Sequence, residues 1–496
     1  MYILAIDQGT TSSRVVLYNQ VFNIISVTQQ TVTQIYPQNS WLEHNPVQIF
    51  NDIISLINSC IEICATKLKI SEQKLKSQII SIGITNQRET SVLWDKTTGK
   101  IIHNAIVWQD RRTTDFCNNL KKNKLEPIIQ EKTGLLIDPY FSSSKINWLL
   151  NNYNLRNNPN ILFGTIDCYL IWRLTSGKCH ATDITNASRT QLYNIKTLQW
   201  DQELLNLFDI PHYILPTVKN SADNFGTTDP KLFGAAIPIT GVAGDQQAAA
   251  IGQLCIKPKQ TKITYGTGCF VLQNTGQTKV TSSHKLITTI AYKVGNEFSY
   301  ALEGSIFVAG AAVSWLKDAM GIINKVEDTE IISQNLLDTN GVYLVPAFTG
   351  LGAPYWDPEA RGAIIGLTRD TDFKHIVRAA LEAVVYQTQD LLLAFAQDYE
   401  LPNSIKVDGG MSANNWFLKF LADITGITIE KPKDIESTVR GVALLSAIGA
   451  QIYTSLDNLP IKFEIDNKFL PKINQTLRNN LYNGWLDAVA RVKNTK

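Results

Sequence analysis

No GxxxxGK[ST] sequence occurs in this 496-residue chain, which excludes a P-loop leading from strand into helix. Its six histidines show neither HExxH nor paired spacing, which argues against a zinc site. The seven cysteines, an odd number, contain no CxxC pair. Scattered thiols, in a chain that enters a strand at once without a charged and apolar leader, predict a reducing cytoplasm. No apolar run approaches the ~18–20 residues that a membrane span requires, so none is expected. Neither sign of charge dominates: 46 basic and 44 acidic residues give +2, with the signs interspersed. That excludes a nucleic-acid footprint and a polybasic membrane surface. The densest basic cluster, Lys121, Lys122 and Lys124, reads as a solvated helix end.

What is present is an ordinary globular composition, 44% apolar and 18% charged, with length enough for two or three cores. Pro46, preceded by Asn45, opens a helix with apolar residues at Ile49, Ile53, Leu56, Ile57, Cys60 and Cys64. Strands are predicted over 79–84, 237–244, 341–346 and 404–407, and helices over 145–150, 167–174, 246–254, 373–395 and 414–425. Alternating strands and helices indicate α/β layers with buried mixed sheets. The boundary is placed near residue 250, giving domains 1–250 and 251–496 with the cleft between them as the default ligand site.

The most informative stretch is IDQGTTSSR at 6–14. Apolar runs on either side make it strand, tight turn, strand. The turn has what a phosphate needs: Gly9 for close backbone approach, hydroxyls from Thr10, Thr11, Ser12 and Ser13, and the cation Arg14. Exposed N–H groups in such a turn bind anions without any helix. Asp7, at the end of the first strand, is placed to hold a cation beside that anion. A second Gly-Thr hairpin, KITYGTGCFVLQN at 262–274, lies roughly half a chain later and suggests a duplicated domain gripping one triphosphate from both sides.

Asp245 stands where a strand ends and a helix begins, in VAGDQQAAA. It reads either as a helix N-cap or as a base for a hydroxyl proton. The helix dipole would keep it ionised and therefore a weak base, which suffices for phosphoryl transfer. Arg88 and Glu89 at a strand end read as a polyol clamp or as a loop ion pair. Trp108 and Tyr140 end apolar runs and are either core or the walls of a small pocket, and Phe270, which follows the second turn, could form such a wall from the other half. In VDGGMSANN at 407–415, Gly409 and Gly410 let backbone approach a flat or anionic group.

Taken together, DQGTTSSR (7–14), SWLEHNP (40–46), GITNQRET (83–90), NAIVWQDRR (104–112), TGLLIDPYFS (133–142), TDITNASRT (182–190), AGDQQAA (243–249), TYGTGCF (264–270), VPAFTGLGAPYWDP (345–358) and VDGG (407–410) closely resemble the glycerol kinase group of the FGGY carbohydrate kinase family. The family's two broad signatures fit at 140–152 and 362–382. The resemblance implies an α/β fold of two duplicated actin/hexokinase-like (ribonuclease H-like) ATPase domains, with mixed sheets flanked by helices and the active-site cleft between them. It implies ATP-dependent phosphorylation of glycerol to sn-glycerol 3-phosphate by a homodimer or homotetramer.

Carried over by residue, glycerol would be held by Arg88, Glu89, Tyr140, Asp245 and Gln246, with Trp108 and Phe270 along its carbons and Asp245 as base. ATP would meet Thr10, Thr11, Ser12 and Arg14 on one side. On the other it would meet Thr267, Gly310, Ser314, Gly410, Met411 and Asn415, and Asp7 would organise Mg²⁺. Ser314 stands where a longer polar side chain is frequent in the family. The segment DPKLFGAA at 229–236 lacks the arginine and the glycine-rich character of a fructose 1,6-bisphosphate loop, and no histidine lies between His212 and His284 for activation by phosphorylation. Two alternatives are a related kinase for a ketopentose or longer polyol and a non-catalytic actin-like ATPase. The aromatic walls argue against the first; Asp7, Asp245 and Arg88-Glu89 argue against the second.

Overall fold

The computed structural model describes residues 1–493 except Thr349, Pro358 and Ile435. Those two positions within the 345–358 motif therefore lie outside the described residues. Five strands form the first sheet: β1 (Tyr2–Gln8), β2 (Ser12–Asn19), β3 (Ile24–Thr31), β4 (Ile79–Asn86) and β5 (Ile239–Gly244). They lie in the order β5-β4-β1-β2-β3. The second sheet contains β6 (Thr261–Tyr265), β7 (Cys269–Gly276), β8 (Ile287–Val294), β9 (Glu297–Ile306), β10 (Ser404–Asp408), β11 (Thr428–Pro432) and β12 (Ile465–Phe469). Its order is β8-β9-β7-β6-β10-β11-β12.

The inner run β11-β10-β6-β7-β9 repeats β5-β4-β1-β2-β3 in order and in strand direction. The duplication suggested by the paired Gly-Thr turns is thus present in the topology. Strands β8 and β12 are additions at the two edges, and the edge pair β8–β9 had not been read from the sequence.

Helix α1 (Pro46–Leu68) starts where Asn45 accepts the N–H groups of Val47 and Gln48 at 3.0 and 3.2 Å. By length and composition it is apolar enough to cross a membrane, which the sequence reading did not anticipate. Its apolar face, Ile49 through Cys64, is buried on Leu4, Ile6, Val15 and Leu17 of the first sheet, the packing of a core helix. Helix α2 (Asp245–Gly252) follows β5, while α3 (Gly310–Asp318) and α4 (Phe373–Asp398) belong to the second half. Helix α5 (Ser437–Gly449) follows β11, the counterpart of β5.

The two equivalent helices, α2 and α5, join the halves. A Cβ on Gly441 would lie 1.8 Å from the Ala248 carbonyl oxygen, and one on Gly252 would lie 1.9 Å from that of Ser437. Only glycine permits this backbone contact. Helix α5 also covers the first sheet, where a Cβ on Gly241 would lie 2.3 Å from Ser446 N. Ile3, Ala5, Val16, Val442 and Leu445 form one buried cluster there, so the halves share a core. All seven cysteines are free thiols. The basic residues Lys121, Lys122 and Lys124 are exposed at the end of the helix Thr114–Lys122.

Candidate active site

Strand β4 runs into Gln87-Arg88-Glu89-Thr90, and the backbone there is strained. Glu89 has φ +61°, and Thr90 N–H donates to the Arg88 carbonyl at 2.7 Å. This three-residue turn is unfavourable for a residue with a Cβ, and such turns persist where the surroundings over-determine them. Here the hydroxyls of Ser91 and Ser142 donate to the Glu89 carbonyl, each at 3.0 Å. Arg189 Nε donates to Glu89 Oε1 at 2.6 Å.

The turn aims Arg88 into a buried cluster of charge. Arg88 grips both oxygens of Glu303, at 2.5 and 3.0 Å, and Arg189 Nη2 reaches Glu303 Oε1 at 3.0 Å. Arg88 also donates to Tyr140 Oη and Gln247 Oε1, each at 3.3 Å, and its Nε lies 3.2 Å from Asp245 Oδ1. The two arginines and two glutamates are all 2% exposed or less. Burial pushes the Glu303 carboxyl up, but Arg189 and Arg88 outweigh it and hold it at about 2. For Glu89 burial wins, and its carboxyl stays above its ordinary value despite Arg189 and Arg88.

Asp245 does not cap α2. Gly244 occupies the cap position, and Asp245 Oδ1 accepts the N–H of Gln246 at 2.7 Å, with its carboxyl beside Arg88. Burial raises its pKa against the pull of Arg88 and Lys262. The sequence argument had the helix dipole keeping it a weak base; burial makes it a better one. Next to it, Gln246 Oε1 accepts from Lys262 Nζ, which also donates to Thr264 Oγ1 at 2.8 Å. That fixes the Gln246 amide with its nitrogen as the remaining donor.

The three aromatics come together as the sequence suggested. Trp108 meets Tyr140 and Phe270 edge-on, with ring centroids 5.4 and 6.0 Å apart. Its indole N–H donates to Thr10 Oγ1 at 2.9 Å, tying this wall to the first Gly-Thr turn. In that turn Gly9 N–H donates to the Ser12 carbonyl at 2.9 Å, and Thr11 is exposed. Asp7 pairs in register with Arg14, whose guanidinium is held by Glu436 and by Gln29 at 2.8 Å. Burial, then the nearby Asp245, push the Asp7 carboxyl up to about 7. A carboxyl raised in this way at a strand end is an oxygen donor whose charged form a divalent cation would favour. Among the described residues no group of three or more His, Cys, Asp or Glu could hold a metal alone.

The second turn is built on backbone. Gly266 N–H donates to the Gly268 carbonyl at 2.9 Å, and the Thr267 carbonyl accepts from Ala309 and Ala311 at 2.9 and 3.1 Å. A Cβ on Gly310 would lie 2.6 Å from the Gly266 oxygen, and 3.9 Å from Met411 Cγ. Gly409 has φ +86°, and its Cβ would lie 2.4 Å from the Tyr265 carbonyl oxygen. Gly410 has open space around it. Gly310 thus packs on the turn at Gly266-Thr267 with the buried Met411 beside it, and Gly410 precedes Met411 in the chain. Ser314 is exposed one turn further along α3, and Asn415 N–H is taken by Glu330 at 3.1 Å.

Sequence reasoning missed Glu303, Arg189, Gln247 and Lys262. Isolation was a usable signal: Glu303 is the sole charge between Glu297 and Lys317, and Arg189 the sole charge between Asp183 and Lys196. Charged side chains are seldom fully buried unless paired, so an isolated charge in a stretch that enters the core calls for a distant partner.

Two repeated sheets joined through equivalent helices, with a buried charge cluster beside glycine-rich turns, define a two-domain kinase of the actin/hexokinase-like fold. Residues 2–252 match the N-terminal domain, and residues 261–450 the C-terminal domain, of the FGGY family of carbohydrate kinases. The chain belongs to that family. It is 49% identical to glycerol kinase 1 of Pseudomonas aeruginosa over 99% of both chains. The structure of Plasmodium falciparum glycerol kinase with ADP superposes with a TM-score of 0.91 at 38% identity, covering 99% of this chain and 98% of that one. A ligand-bound xylulose kinase from Lactobacillus acidophilus shares the fold at a TM-score of 0.87 and 22% identity, over 99% and 98%.

Proposed function

We propose that the chain transfers the γ-phosphoryl group of ATP to glycerol, giving sn-glycerol 3-phosphate. The observation that carries the reading is the clamp: Arg88 and Glu89 side by side on a strained turn, facing a wall of Trp108, Tyr140 and Phe270. A three-carbon polyol has a short apolar edge for the wall and hydroxyls for the clamp. Arg88, Tyr140 and the Gln246 amide donate to its oxygens, and Glu89 and Asp245 accept from them. The full-length likeness to a glycerol kinase supports this choice among carbohydrate kinases.

Asp245 takes the proton of the hydroxyl whose oxygen attacks the γ-phosphorus as the bond to ADP breaks. Its raised pKa suits that step, because burial makes the carboxylate a stronger base than a solvated one. Phosphoryl transfer otherwise asks for positioning and charge neutralisation. Thr10, Thr11, Ser12 and Arg14 would hold the phosphates from the first half. Thr267, Gly310, Ser314, Gly410, Met411 and Asn415 would hold the nucleotide from the second. Asp7 would hold Mg²⁺, which would supply charge neutralisation beside the phosphates.

The reading places the domain boundary at the 250/251 junction, just inside the C-terminal end of α2. It also includes assembly as a homodimer or homotetramer, which light scattering measures. The test of function is ADP formation by the purified chain with Mg-ATP and glycerol, against xylulose and ribitol. Turnover confined to glycerol is expected. Preference for a five-carbon substrate, or hydrolysis that ignores glycerol, would overturn the reading.

A further inference from the structure

Glu303 is the acid of the buried cluster that comes from the second sheet, on β9, and its oxygens are taken up by arginines. Those arginines, Arg88 and Arg189, come from the first half, as does Glu89. Counting charges gives two positive side chains against two negative ones, all 2% exposed or less. Just outside, Asp245 lies 3.2 Å from Arg88 Nε, and Lys262, whose Nζ donates to Gln246 Oε1 and Thr264 Oγ1, supplies one further positive charge against it. The clamp is therefore neutral as a whole while rich in donors and acceptors.

Neutrality has a consequence for what can bind. An uncharged polyol exchanges hydrogen bonds with water for hydrogen bonds with the clamp. A carboxylate entering the same place would lose its hydration and find no uncompensated positive charge, because Glu303 takes both terminal nitrogens of Arg88 and Nη2 of Arg189, while Glu89 takes Nε of Arg189. Without Glu303, Arg88 and Arg189 would face the site as a fork suited to a carboxylate.

We propose that Glu303 is a specificity-determining residue: by neutralising Arg88 and Arg189 it reserves the clamp for uncharged polyols and shuts out three-carbon hydroxy acids such as glycerate. The proposal rests on the polyol-kinase reading above. Transfer to glycerate would follow the same course, with a hydroxyl oxygen attacking the γ-phosphorus, the bond to ADP breaking and the proton passing to Asp245.

The test is calorimetric binding of glycerate and of its neutral isostere glyceramide to the full-length chain. The wild type is expected to bind glyceramide roughly tenfold or more tighter than glycerate, the scale of one charged hydrogen bond. Glu303→Gln leaves the cluster at +1 and should shift that ratio toward glycerate roughly tenfold or more. Arg189→Gln leaves it at −1 and should shift it the other way. The double variant Glu303→Gln/Arg189→Gln is neutral again and should return to the wild-type ratio.

A residue that only supported the fold would not make the preference follow the charge count. Equal binding of the two ligands by the wild type would overturn the proposal, as would a ratio that ignores the count in whichever variants fold. Because binding needs no turnover, a wild type inactive toward glycerol would overturn the substrate reading separately.

Discussion

At the end of its first strand the first half has Asp7-Gln8-Gly9-Thr10, and the second half has Thr264-Tyr265-Gly266-Thr267 at the equivalent place. The same contrast recurs one strand over. Strand β4 runs into Arg88-Glu89, whereas its counterpart β10 runs into Gly409-Gly410. One scaffold thus carries charged side chains in one copy and bare backbone in the other. The first arrangement suits recognition of hydroxyls and handling of a proton, which need titratable groups held in place. The second suits a large anionic ligand, because a missing Cβ lets N–H groups come close. Duplication supplied the geometry, and the turn residues set the two copies apart.

The hardest blow to this comparison would come at Asp245. Asp245→Asn is expected to lower kcat about 10²–10⁴-fold while ATP affinity by calorimetry is kept. Equal loss of ATP binding would erase the division between halves. Next, Arg88→Ala should raise KM for glycerol by roughly tenfold to a hundredfold, leaving KM for ATP within about twofold.

The mirror experiment is Gly409→Ala, which forces a Cβ to within 2.4 Å of the Tyr265 carbonyl. Steady-state kinetics should then show KM for ATP raised roughly tenfold with that for glycerol unmoved, on the scale of a couple of kcal/mol for such a clash. A change confined to glycerol would invert the assignment. Gly441→Ala strikes the joint between the halves and should cost about 1–3 kcal/mol of stability in denaturant titrations.

The smallest effect compares one buried acid in each half. Asp167 accepts from Thr165 and Thr182, and Asp390 from Tyr482 and Trp485; burial pushes each carboxyl from 3.8 to about 7. Between pH 4 and 7 the folded state keeps protons that the unfolded chain has released, so stability falls as pH rises through that window. Asp167→Asn and Asp390→Asn should each flatten the curve of melting temperature against pH there. A slope unchanged in both would show that other groups set it.

Local signals carried much of the fold. Asn45-Pro46 and the apolar spacing after it gave α1 nearly to its ends, because a cap and a helical face are properties of neighbouring residues. The expected strand over 237–244 begins at Ile239, and the helix expected over 246–254 spans Asp245–Gly252, errors of the size that fraying ends produce. The Gly-Thr turns, Arg88-Glu89, Asp245 and the aromatic wall were likewise legible, since each rests on a short motif.

Glu303 could not be assigned that way. It meets Arg88 across 215 positions of sequence and Arg189 across 114, and an ion pair is a property of distance in space. The sequence by itself determined where the Gly-Thr turns fall and where helices begin. Only the tertiary structure decided that Asp245 is turned from its helix cap toward Arg88, and that a glutamate from the second sheet neutralises the clamp of the first. Burial and through-space charge set both, and neither is written in the order of residues.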